Sequence, residues 1–330
     1  MLLIKGEIML DKIKIAVASL IAFVMLFICI FVFNKPKNND EISITAPTST
    51  VESIKIESGQ TVKVNMGQQI TEMDMEEYII NVVAGEVYPT YEPEALKAQA
   101  VAARTYLMYK ILGGGCANGG DICTESTHCQ AYKTNEKMLS QWGENYEKYY
   151  TAIKDAVQKT KGEIVKYDNK PICALYHSSS VGKTEDCVSV FGSNHPYLKS
   201  VSSIVGEDNS EYSKDMTFTK QEFIEKVNKA FSLELTEISI KIISYTSAGR
   251  VSTLKLGEKS VKATALRKAL GLRSTDFVFE KTNDEITFTM KGYGHGVGLS
   301  QVGAQEMAKA GKTYKEILTH YYTGTTVEKI

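Results

Sequence analysis

Apolar residues along this chain recur with two different periods, which predict helices and strands in different segments. A helical period runs through 74–87, 93–112, 138–160 and 263–270, and strand-like apolar stretches occupy 163–167, 171–176, 237–246 and 250–256. Thr219 and Glu222 form a capping-box pattern, which predicts the start of a further short helix. Because strands and helices do not alternate regularly, we predict an α+β fold, with a helical core and appended β-rich elements.

An uncharged apolar run near the start of the chain has a different character. Ile15 to Asn34 spans 20 residues, which is long enough to cross the hydrocarbon core of a membrane as a helix. No small-residue cleavage pattern follows it, so residues 1–37 are predicted to form a cytoplasmic stub and a transmembrane signal anchor. Three lysines before the run and two after it favour a cytoplasmic N-terminus. The sequence thus predicts a single-pass membrane protein, with a polar linker at 38–58 and an extracytoplasmic domain at 59–330.

The helix predicted at 74–87 carries one carboxylate on its apolar face. The apolar stripe consists of Met75, Tyr78, Ile79, Val82 and Val83. Glu86 continues this stripe at its C-terminal end, so we expect it to be partly buried. A carboxyl that is desolvated without a fixed cation has a raised pKa, which makes it a usable general acid near neutral pH. The alternative is a structural glutamate that caps a neighbouring group or bonds Arg104.

Two cations follow on the helix predicted at 93–112. Lys97 and Arg104 lie two turns apart and share a face with Val101 between them. Two cations on one face beside an acid suit the binding of a polar or anionic substrate. Taken alone, such a pair is more often solvated surface.

The overall charge of the chain is nearly balanced. The sequence has 38 Lys and Arg against 39 Asp and Glu, a formal net charge of −1 at pH 7. This balance argues against a nucleic-acid-binding protein, whose domain would carry a basic face. The segment 59–330 is long enough for one large domain, or two smaller ones, around a real core.

Three stretches of the chain resemble the signature segments of one protein family. They are Asn81–Val87 with the string Glu94-Ala95-Leu96-Lys97-Ala98-Gln99-Ala100-Val101-Ala102-Ala103-Arg104, the segment Tyr176-His177-Ser178-Ser179-Ser180, and the run Gly292-Tyr293-Gly294-His295-Gly296-Val297-Gly298 with Gln301. The tail from Tyr314 to Thr325 matches as well. On these residues the chain resembles the stage II sporulation protein D family, which acts on cell-wall glycan.

The resemblance implies a membrane-anchored lytic transglycosylase that cleaves peptidoglycan glycan strands during engulfment in sporulation. It assigns the role of general acid and base to Glu86. The substrate contacts that it implies come from Lys97, Arg104, Tyr176, His177, Ser178, Ser180, His295 and Gln301. It also implies a peptide-stripped substrate prepared by a partner amidase or endopeptidase, a membrane scaffold as a second partner, and a location between the mother-cell and forespore membranes.

This reaction suits a site with a single carboxylate. Most glycoside hydrolases need two carboxylates, one as acid and one as base or nucleophile. A lytic transglycosylase needs one, because the attacking group is the C6 hydroxyl of the substrate's own N-acetylmuramic acid. If the products carried reducing ends instead, Glu185 would be the first candidate for a second carboxylate.

A cluster of cysteines offers a metal site. Cys116, Cys123, His128 and Cys129 supply the ligand types of a closed structural zinc site on a glycine-rich loop. The spacing is irregular, so the backbone must turn sharply for the adjacent His128 and Cys129 to face one ion. The alternative is one disulfide within the loop and a spare thiol. Cys173 and Cys187 could pair as a disulfide or remain reduced.

Two other functions remain open at this point. The cluster could serve as the catalytic metal of a hydrolase of wall peptides, but three thiolates close a zinc site, whereas hydrolytic zinc keeps a position open for water. The chain could also be a non-catalytic wall-binding scaffold. Replacement of Glu86 by glutamine separates this last function from transglycosylation, because binding alone should survive the change.

Overall fold

The computed structural model describes residues 60–67, 69–206, 209–210 and 212–330, and these residues form mixed helices and sheets. The predicted α+β class is therefore confirmed. The described helices are α1 (Met75–Glu86), α2 (Pro93–Leu112), α3 (Asn135–Trp142), α4 (Tyr146–Lys159), α5 (Cys187–Phe191), α6 (Lys220–Phe231), α7 (Ala263–Leu270), α8 (Gln301–Lys309) and α9 (Tyr314–Tyr321), with a 3-10 helix at Gly143–Asn145.

The strands are short, and most of them lie in separate small sheets. They are β1 (Thr61–Asn65), β2 (Ile70–Asp74), β3 (Ile122–Cys123), β4 (Glu163–Tyr167), β5 (Lys170–Pro171), β6 (Tyr176–His177), β7 (Gly182–Lys183), β8 (Ser202–Ser203), β9 (Ser213–Thr219), β10 (Ile240–Tyr245), β11 (Val251–Leu256), β12 (Lys259–Lys262), β13 (Phe277–Lys281), β14 (Glu285–Lys291), β15 (Leu299–Ser300) and β16 (Thr326–Lys329). Their orders are β2-β1-β3, β16-β4-β5, β10-β11-β12, β13-β14-β9, β15-β6 and β7-β8.

Helices α1 and α2 begin and end close to the predicted positions. The Asp74 side chain accepts hydrogen bonds from the backbone N–H groups of Glu76 and Glu77, which caps the start of α1. Pro93 occupies the first turn of α2, where its missing N–H costs no helical hydrogen bond. All five apolar residues of the α1 stripe are buried, as the periodicity predicts.

Two predicted elements differ from the structure. The helix predicted at 138–160 is divided into α3 and α4, because Gly143 adopts φ +52°, which a helix cannot continue through. The strand predicted at 171–176 pairs only at its two ends, in β5 and β6. The turn between β4 and β5 is formed by Asp168 and Asn169, both at positive φ.

The buried apolar residues form two separate cores. The main core joins α1, α2, α4, β4 and the chain from 297 to 322. The second core lies within 216–290, where the sheets β10-β11-β12 and β13-β14-β9 pack with α6 and α7. This β-rich segment is inserted between β8 and β15, so the two motifs that resemble the family signature on either side of it belong to the main core.

The predicted transmembrane anchor is not supported and needs correction, as does the single-pass membrane location. Within the described part of the chain, no helix is both long and apolar enough to cross a membrane. Helix α2 has the length, with 20 residues, but it carries charged residues such as Lys97 and Arg104. The run from Ile15 to Asn34, on which the prediction rested, lies outside the described residues.

Candidate functional site

Glu86 is the last residue of α1 and lies against the loop that follows the cysteine cluster. The backbone N–H of Ala131 donates a hydrogen bond of 2.7 Å to Glu86 Oε1. Gly85 permits this approach, because a Cβ at Gly85 would lie only 3.0 Å from the carbonyl carbon of Ala131 and the nitrogen of Tyr132. The Glu86 residue keeps partial exposure to solvent. The carboxyl is therefore held by protein groups yet remains open on one side.

Two residues from distant segments complete the contacts of Glu86. Tyr176 OH lies 3.4 Å from Glu86 Oε1, and Gln301 Nε2 donates to Glu86 Oε2 at 3.2 Å. Strands β6 and β15 pair in parallel, with Leu299 opposite Tyr176, so the two family-like motifs meet next to the carboxyl. The structure thus brings three of the residues singled out in the sequence together. The alternative role of Glu86 as a partner of Arg104 is wrong.

Further polar side chains around this site were not foreseen from the sequence. Gln130 donates to Tyr176 OH at 2.8 Å and accepts from Tyr78 OH at 3.1 Å. Gln99 accepts from Gln301 Nε2 at 3.4 Å. A polar Gln99 among the alanines of α2 and a Gln130 directly after a cysteine ligand were the available signals. These residues fix the orientation of the two side chains that reach Glu86.

The surroundings of Glu86 change its acidity in a definite direction. Burial raises the pKa of the Glu86 carboxyl above its ordinary value, and hydrogen bonds from Ala131, Gln301 and Tyr176 partly oppose this rise. Desolvation is the largest of these influences, so it decides the direction in which the pKa of Glu86 moves. A larger fraction of this carboxyl is therefore protonated near neutral pH than of an exposed glutamate.

We expect a Gln301→Ala substitution to move the alkaline limb of the activity profile to higher pH. The amide of Gln301 stabilises the charged carboxylate, so its removal should raise the pKa of Glu86 further and keep the acid protonated over a wider range. The measurement is kcat/KM for glycan cleavage as a function of pH. Gln158→Ala, at an exposed position of α4, is the control. A limb that stays in place or moves to lower pH would contradict the assignment.

Two histidines, the buried His177 and the partly exposed His295, support the strand that carries Tyr176. His295 Nδ1 accepts from the backbone N–H of Val297 at 3.1 Å, so Nε2 donates to the Tyr176 carbonyl at 3.0 Å. His177 Nδ1 donates to the carbonyl of Val297 at 3.2 Å, which leaves Nε2 to accept from Ser180 Oγ at 2.5 Å. Burial lowers the pKa of both imidazoles, that of His295 to about 3. Both rings are therefore neutral and hold backbone in place.

Ser180 and Ser178, also predicted to contact substrate, lie in different surroundings. Ser180 is fully buried, and its hydroxyl accepts from Arg250 Nη2 at 2.7 Å while donating to His177. Ser178 is partly exposed, and its carbonyl accepts from the N–H of Val302. Of these serines, Ser178 is thus the one with solvent access.

The glycine-rich run after His295 permits close packing against β6. Gly298 has φ +74°, and a Cβ there would lie 2.1 Å from the carbonyl oxygen of Leu175. No side chain fits at this distance, so the two segments can pair only with glycine at this position. The glycine therefore allows Gln301 and Tyr176 to approach the same carboxyl.

Lys97 and Arg104 bind protein groups. Lys97 Nζ lies 2.5 Å from Glu94 Oε1 and over the ring of Tyr314 at 5.6 Å. Arg104 is fully buried and forms a bidentate ion pair with Glu76, at 3.0 Å from Nε and 2.6 Å from Nη2. Its other donors reach the carbonyls of Glu163 and Val157. This geometry favours a structural role for Arg104, which joins α1, α2, α4 and β4.

Replacement of Arg104 by alanine should therefore reduce stability. The change leaves the half-buried Glu76 carboxylate and two backbone carbonyls without their donor, which should lower the free energy of unfolding by about 2–4 kcal/mol. Arg104→Lys should recover only part of the loss, because an ammonium cannot form the bidentate pair. Urea denaturation measures both, and a loss near zero for Arg104→Ala would contradict the structural role.

Glu185, the candidate for a second carboxylate, is fully buried. Thr246 Oγ1 donates to its Oε1 at 2.6 Å, and Arg250 Nε lies 3.8 Å from the same oxygen. Because Thr246 and Arg250 flank the turn between β10 and β11, this contact joins the inserted β-rich segment to the main core. A position closed to solvent does not suit activation of a water molecule.

The cysteines and histidine predicted to bind a metal converge on one point. One ligand atom from each of Cys116, Cys123, His128 and Cys129 lies within 4.8 Å of the others. His128 Nδ1 is 3.3–3.5 Å from the three sulfur atoms, and Cys116 Sγ is 3.8 Å from Cys129 Sγ. A tetrahedral zinc ion, with ligand bonds of about 2.0–2.3 Å, separates its ligand atoms by about 3.5–3.8 Å. These residues therefore fit a metal ion.

The backbone makes the sharp turn that this ligand set requires. The N–H groups of His128 and Cys129 both bond the carbonyl of Glu125, which turns two adjacent residues towards one centre. The five cysteines in the described part of the chain are free, so the disulfide alternatives for the loop and for Cys173 with Cys187 do not occur in this structure. A hydrogen bond from Cys129 lowers the pKa of the Cys123 thiol to about 5.

The loop 116–131, which carries the four candidate metal ligands, is continuous with the contacts of Glu86. Cys129 is followed directly by Gln130, which bonds Tyr176, and by Ala131, which bonds Glu86. On the other side, Cys123 lies in β3, which pairs with β1 of the main domain. The loop that carries the four candidate ligands thus runs directly into the segment that bonds the carboxyl.

Comparisons with known proteins identify the relatives of this chain. The family model described as Stage II sporulation protein matches residues 64–167. Stage II sporulation protein D of Bacillus subtilis (strain 168) is 39% identical over 264 residues, which cover 79% of this chain and 76% of that protein. The protein of the same name from Bacillus amyloliquefaciens is 37% identical over 262 residues, with coverage of 79% and 76%. The amidase enhancer of Bacillus subtilis (strain 168) is 29% identical over 303 residues, 74% of this chain but 39% of its own length.

The chain is therefore a sporulation protein, of a class whose role is remodelling of the cell wall. In particular, it belongs to the stage II sporulation protein D family, so the resemblance seen in the sequence motifs is confirmed. The membership also suggests interaction with peptidoglycan.

Proposed function

We propose that this protein is a peptidoglycan lytic transglycosylase with Glu86 as both general acid and general base. The observation that carries the proposal is a single carboxyl that is partly exposed and whose pKa is raised by burial. Its contacts are neutral donors, namely Ala131 N–H, Tyr176 OH and Gln301 Nε2. Such a group can give up a proton and take one back, because neither form is held by a fixed charge.

In the proposed reaction, Glu86 first donates its proton to the glycosidic oxygen, and the bond from C1 of N-acetylmuramic acid to that oxygen breaks. The Glu86 carboxylate then accepts the proton of the C6 hydroxyl of the same sugar. The C6 oxygen bonds C1, so a 1,6-anhydro ring closes and no water is consumed. Tyr176 and Gln301 stabilise the carboxylate between the two steps through their hydrogen bonds.

The remaining residues take supporting roles in this proposal. Ser178 and Lys97, which are partly exposed, can bond sugar hydroxyls or acetamido groups. His177, Ser180 and His295 hold the backbone around Tyr176 and contribute through it. Arg104 is not used, because its donors are occupied.

We propose that the metal is zinc and that its role is structural. Zinc would be held by Cys116, Cys123, His128 and Cys129, and when bound it supplies a rigid closed centre for the loop 116–131. Four protein ligands leave no open position, which argues against a zinc hydrolase of wall peptides. We further propose peptide-stripped glycan as the substrate, with an amidase or endopeptidase as the partner that prepares it.

The test is mass analysis of the products that the protein releases from purified peptidoglycan, with and without prior removal of the stem peptides. We expect products that end in 1,6-anhydro-N-acetylmuramic acid, with higher yield from stripped strands. Products with reducing ends would point to a hydrolase. Tight binding without any product would favour a non-catalytic wall-binding scaffold.

A further inference from the structure

Tyr88 is an exposed aromatic residue next to Glu86 that the proposed reaction does not use. Its side chain is 64% exposed, and it lies two residues beyond the carboxylate. Val87, between them, is extended with φ −130° and ψ 161° and packs against the main core. Because an extended chain advances by about 3.3 Å per residue, the Cα atom of Tyr88 lies within about 7 Å of that of Glu86.

The backbone of Tyr88 is held by a rigid turn. The N–H of Tyr91 bonds the carbonyl of Tyr88 at 3.0 Å, which closes a four-residue turn. Pro89 occupies the second position, where its fixed φ favours such turns. The ring of Tyr91 lies 5.9 Å from that of Tyr88, tilted by 50°, and itself packs against the main core. The exposed ring therefore rests on a partner that is anchored below it.

The turn is also tied to the helix that carries Gln301. The N–H of Glu92 donates to Gln305 Oε1 at 2.7 Å, and Gln305 lies one turn after Gln301 on α8. Gln301 in turn bonds Glu86. One helix thus bonds both the carboxylate and the aromatic turn, which couples their positions.

A single exposed tyrosine needs no explanation. A preorganised ring beside a carboxyl proposed to cleave glycan suggests a role in binding sugar. The apolar face of a pyranose presents C–H groups, which the negative face of an aromatic ring attracts. Tyrosine loses little conformational freedom on binding, since it has few rotatable bonds. We propose that Tyr88, supported by Tyr91, is a stacking subsite for an N-acetylated pyranose adjacent to the bond that is cleaved. This inference rests on the proposed function, because it names a residue that binds the sugar next to the cleaved bond.

The test measures binding separately from cleavage. In the full chain with Glu86→Gln, affinity for a peptide-free GlcNAc–MurNAc tetrasaccharide is determined by isothermal titration for Tyr88→Ala and Tyr88→Phe. Tyr245→Ala, at an exposed tyrosine of β10 in the second core, is the matched control. We expect about a fivefold or greater loss for Tyr88→Ala, and affinities within about twofold of the parent for Tyr88→Phe and Tyr245→Ala, because the ring face is retained or remote. With Glu86 intact, Tyr88→Ala should raise KM more than it lowers kcat.

The outcomes separate this inference from the proposed function. Unchanged affinity in Tyr88→Ala, or an equal loss in Tyr245→Ala, overturns the subsite, even if anhydro products are found. If the wild-type chain releases anhydro products but the Glu86→Gln chain binds the tetrasaccharide equally with and without the Tyr88 ring, the subsite alone is overturned. Tyr88-dependent binding, together with a wild-type chain that releases no product, supports the subsite and removes the transglycosylase.

Discussion

A chain with Glu86→Gln should fold normally and lose glycan cleavage by a factor of about 10² to 10⁴, the range that a positioned general acid and base contributes. Glutamine keeps the shape of the side chain and can still accept the hydrogen bond from Ala131. It cannot donate a proton to the glycosidic oxygen or accept one from the C6 hydroxyl. The measurement is the rate at which 1,6-anhydro ends appear from peptide-stripped glycan.

Two controls make this result specific. Glu77→Gln removes an exposed carboxylate from the first turn of the same helix and should leave cleavage near the wild-type rate. Thermal unfolding at two pH values checks the fold. Burial raises the pKa of Glu86, so the folded chain binds the proton of this carboxyl more tightly than the unfolded chain does. The protonated carboxyl therefore adds to the free energy of unfolding at low pH. This contribution is lost as the pH rises through the raised pKa. At pH 8 the Glu86→Gln chain should therefore melt no lower than the wild type. Wild-type turnover by the folded variant would remove Glu86 from the mechanism.

Local sequence signals were sufficient for the framework of the site. The start of α2 at Pro93 and the capping box at Thr219 follow from the chemistry of a few neighbouring residues and lie where the sequence predicts them. Helix α1 ends at Glu86, one residue before the predicted end. The burial of the α1 stripe follows in the same way from its period. Such features depend on contacts within one or two helical turns, which a single sequence contains.

The detailed contacts of the site depend on residues that are far apart in the chain. Gln301 reaches Glu86 across 215 positions, and Tyr176 does so across 90. The position of Arg104 was not predicted for the same reason. Its spacing from Lys97 suggested a face open to substrate, but Glu76, 28 positions earlier, binds Arg104 in the core. Family-like motifs indicated that Tyr176 and Gln301 matter, whereas periodicity alone could not tell which group each would contact. Gln99 and Gln130 carried no comparable motif and became visible only through packing.

The second large effect is expected when the proposed zinc ligands of the loop 116–131 are changed. Purified protein should carry about one equivalent of zinc, and Cys123→Ser should lose most of it, because one of four ligands is removed. The loop should then lose order between Cys116 and Ala131, so that the N–H group that holds Glu86 is no longer fixed. We expect a lower melting temperature and cleavage reduced by at least about tenfold, the scale on which supporting residues of metal sites act. Elemental analysis, thermal unfolding and the product assay measure the three effects.

Cys187→Ser is the matched control, since Cys187 is a buried free cysteine outside the ligand set. It should keep the metal and most of the activity. Removal of the metal from the wild-type chain by a chelator should reproduce the Cys123→Ser effects, and added zinc should reverse them in the wild type but not in the variant. A chain without metal, with a mass about two units below that of the reduced form, would instead indicate a disulfide within the loop. Loss of metal with full cleavage would show that Ala131 is held without the ligand set. The cysteines connect to the reaction through Gln130, which bonds Tyr176, and through Ala131, which bonds Glu86.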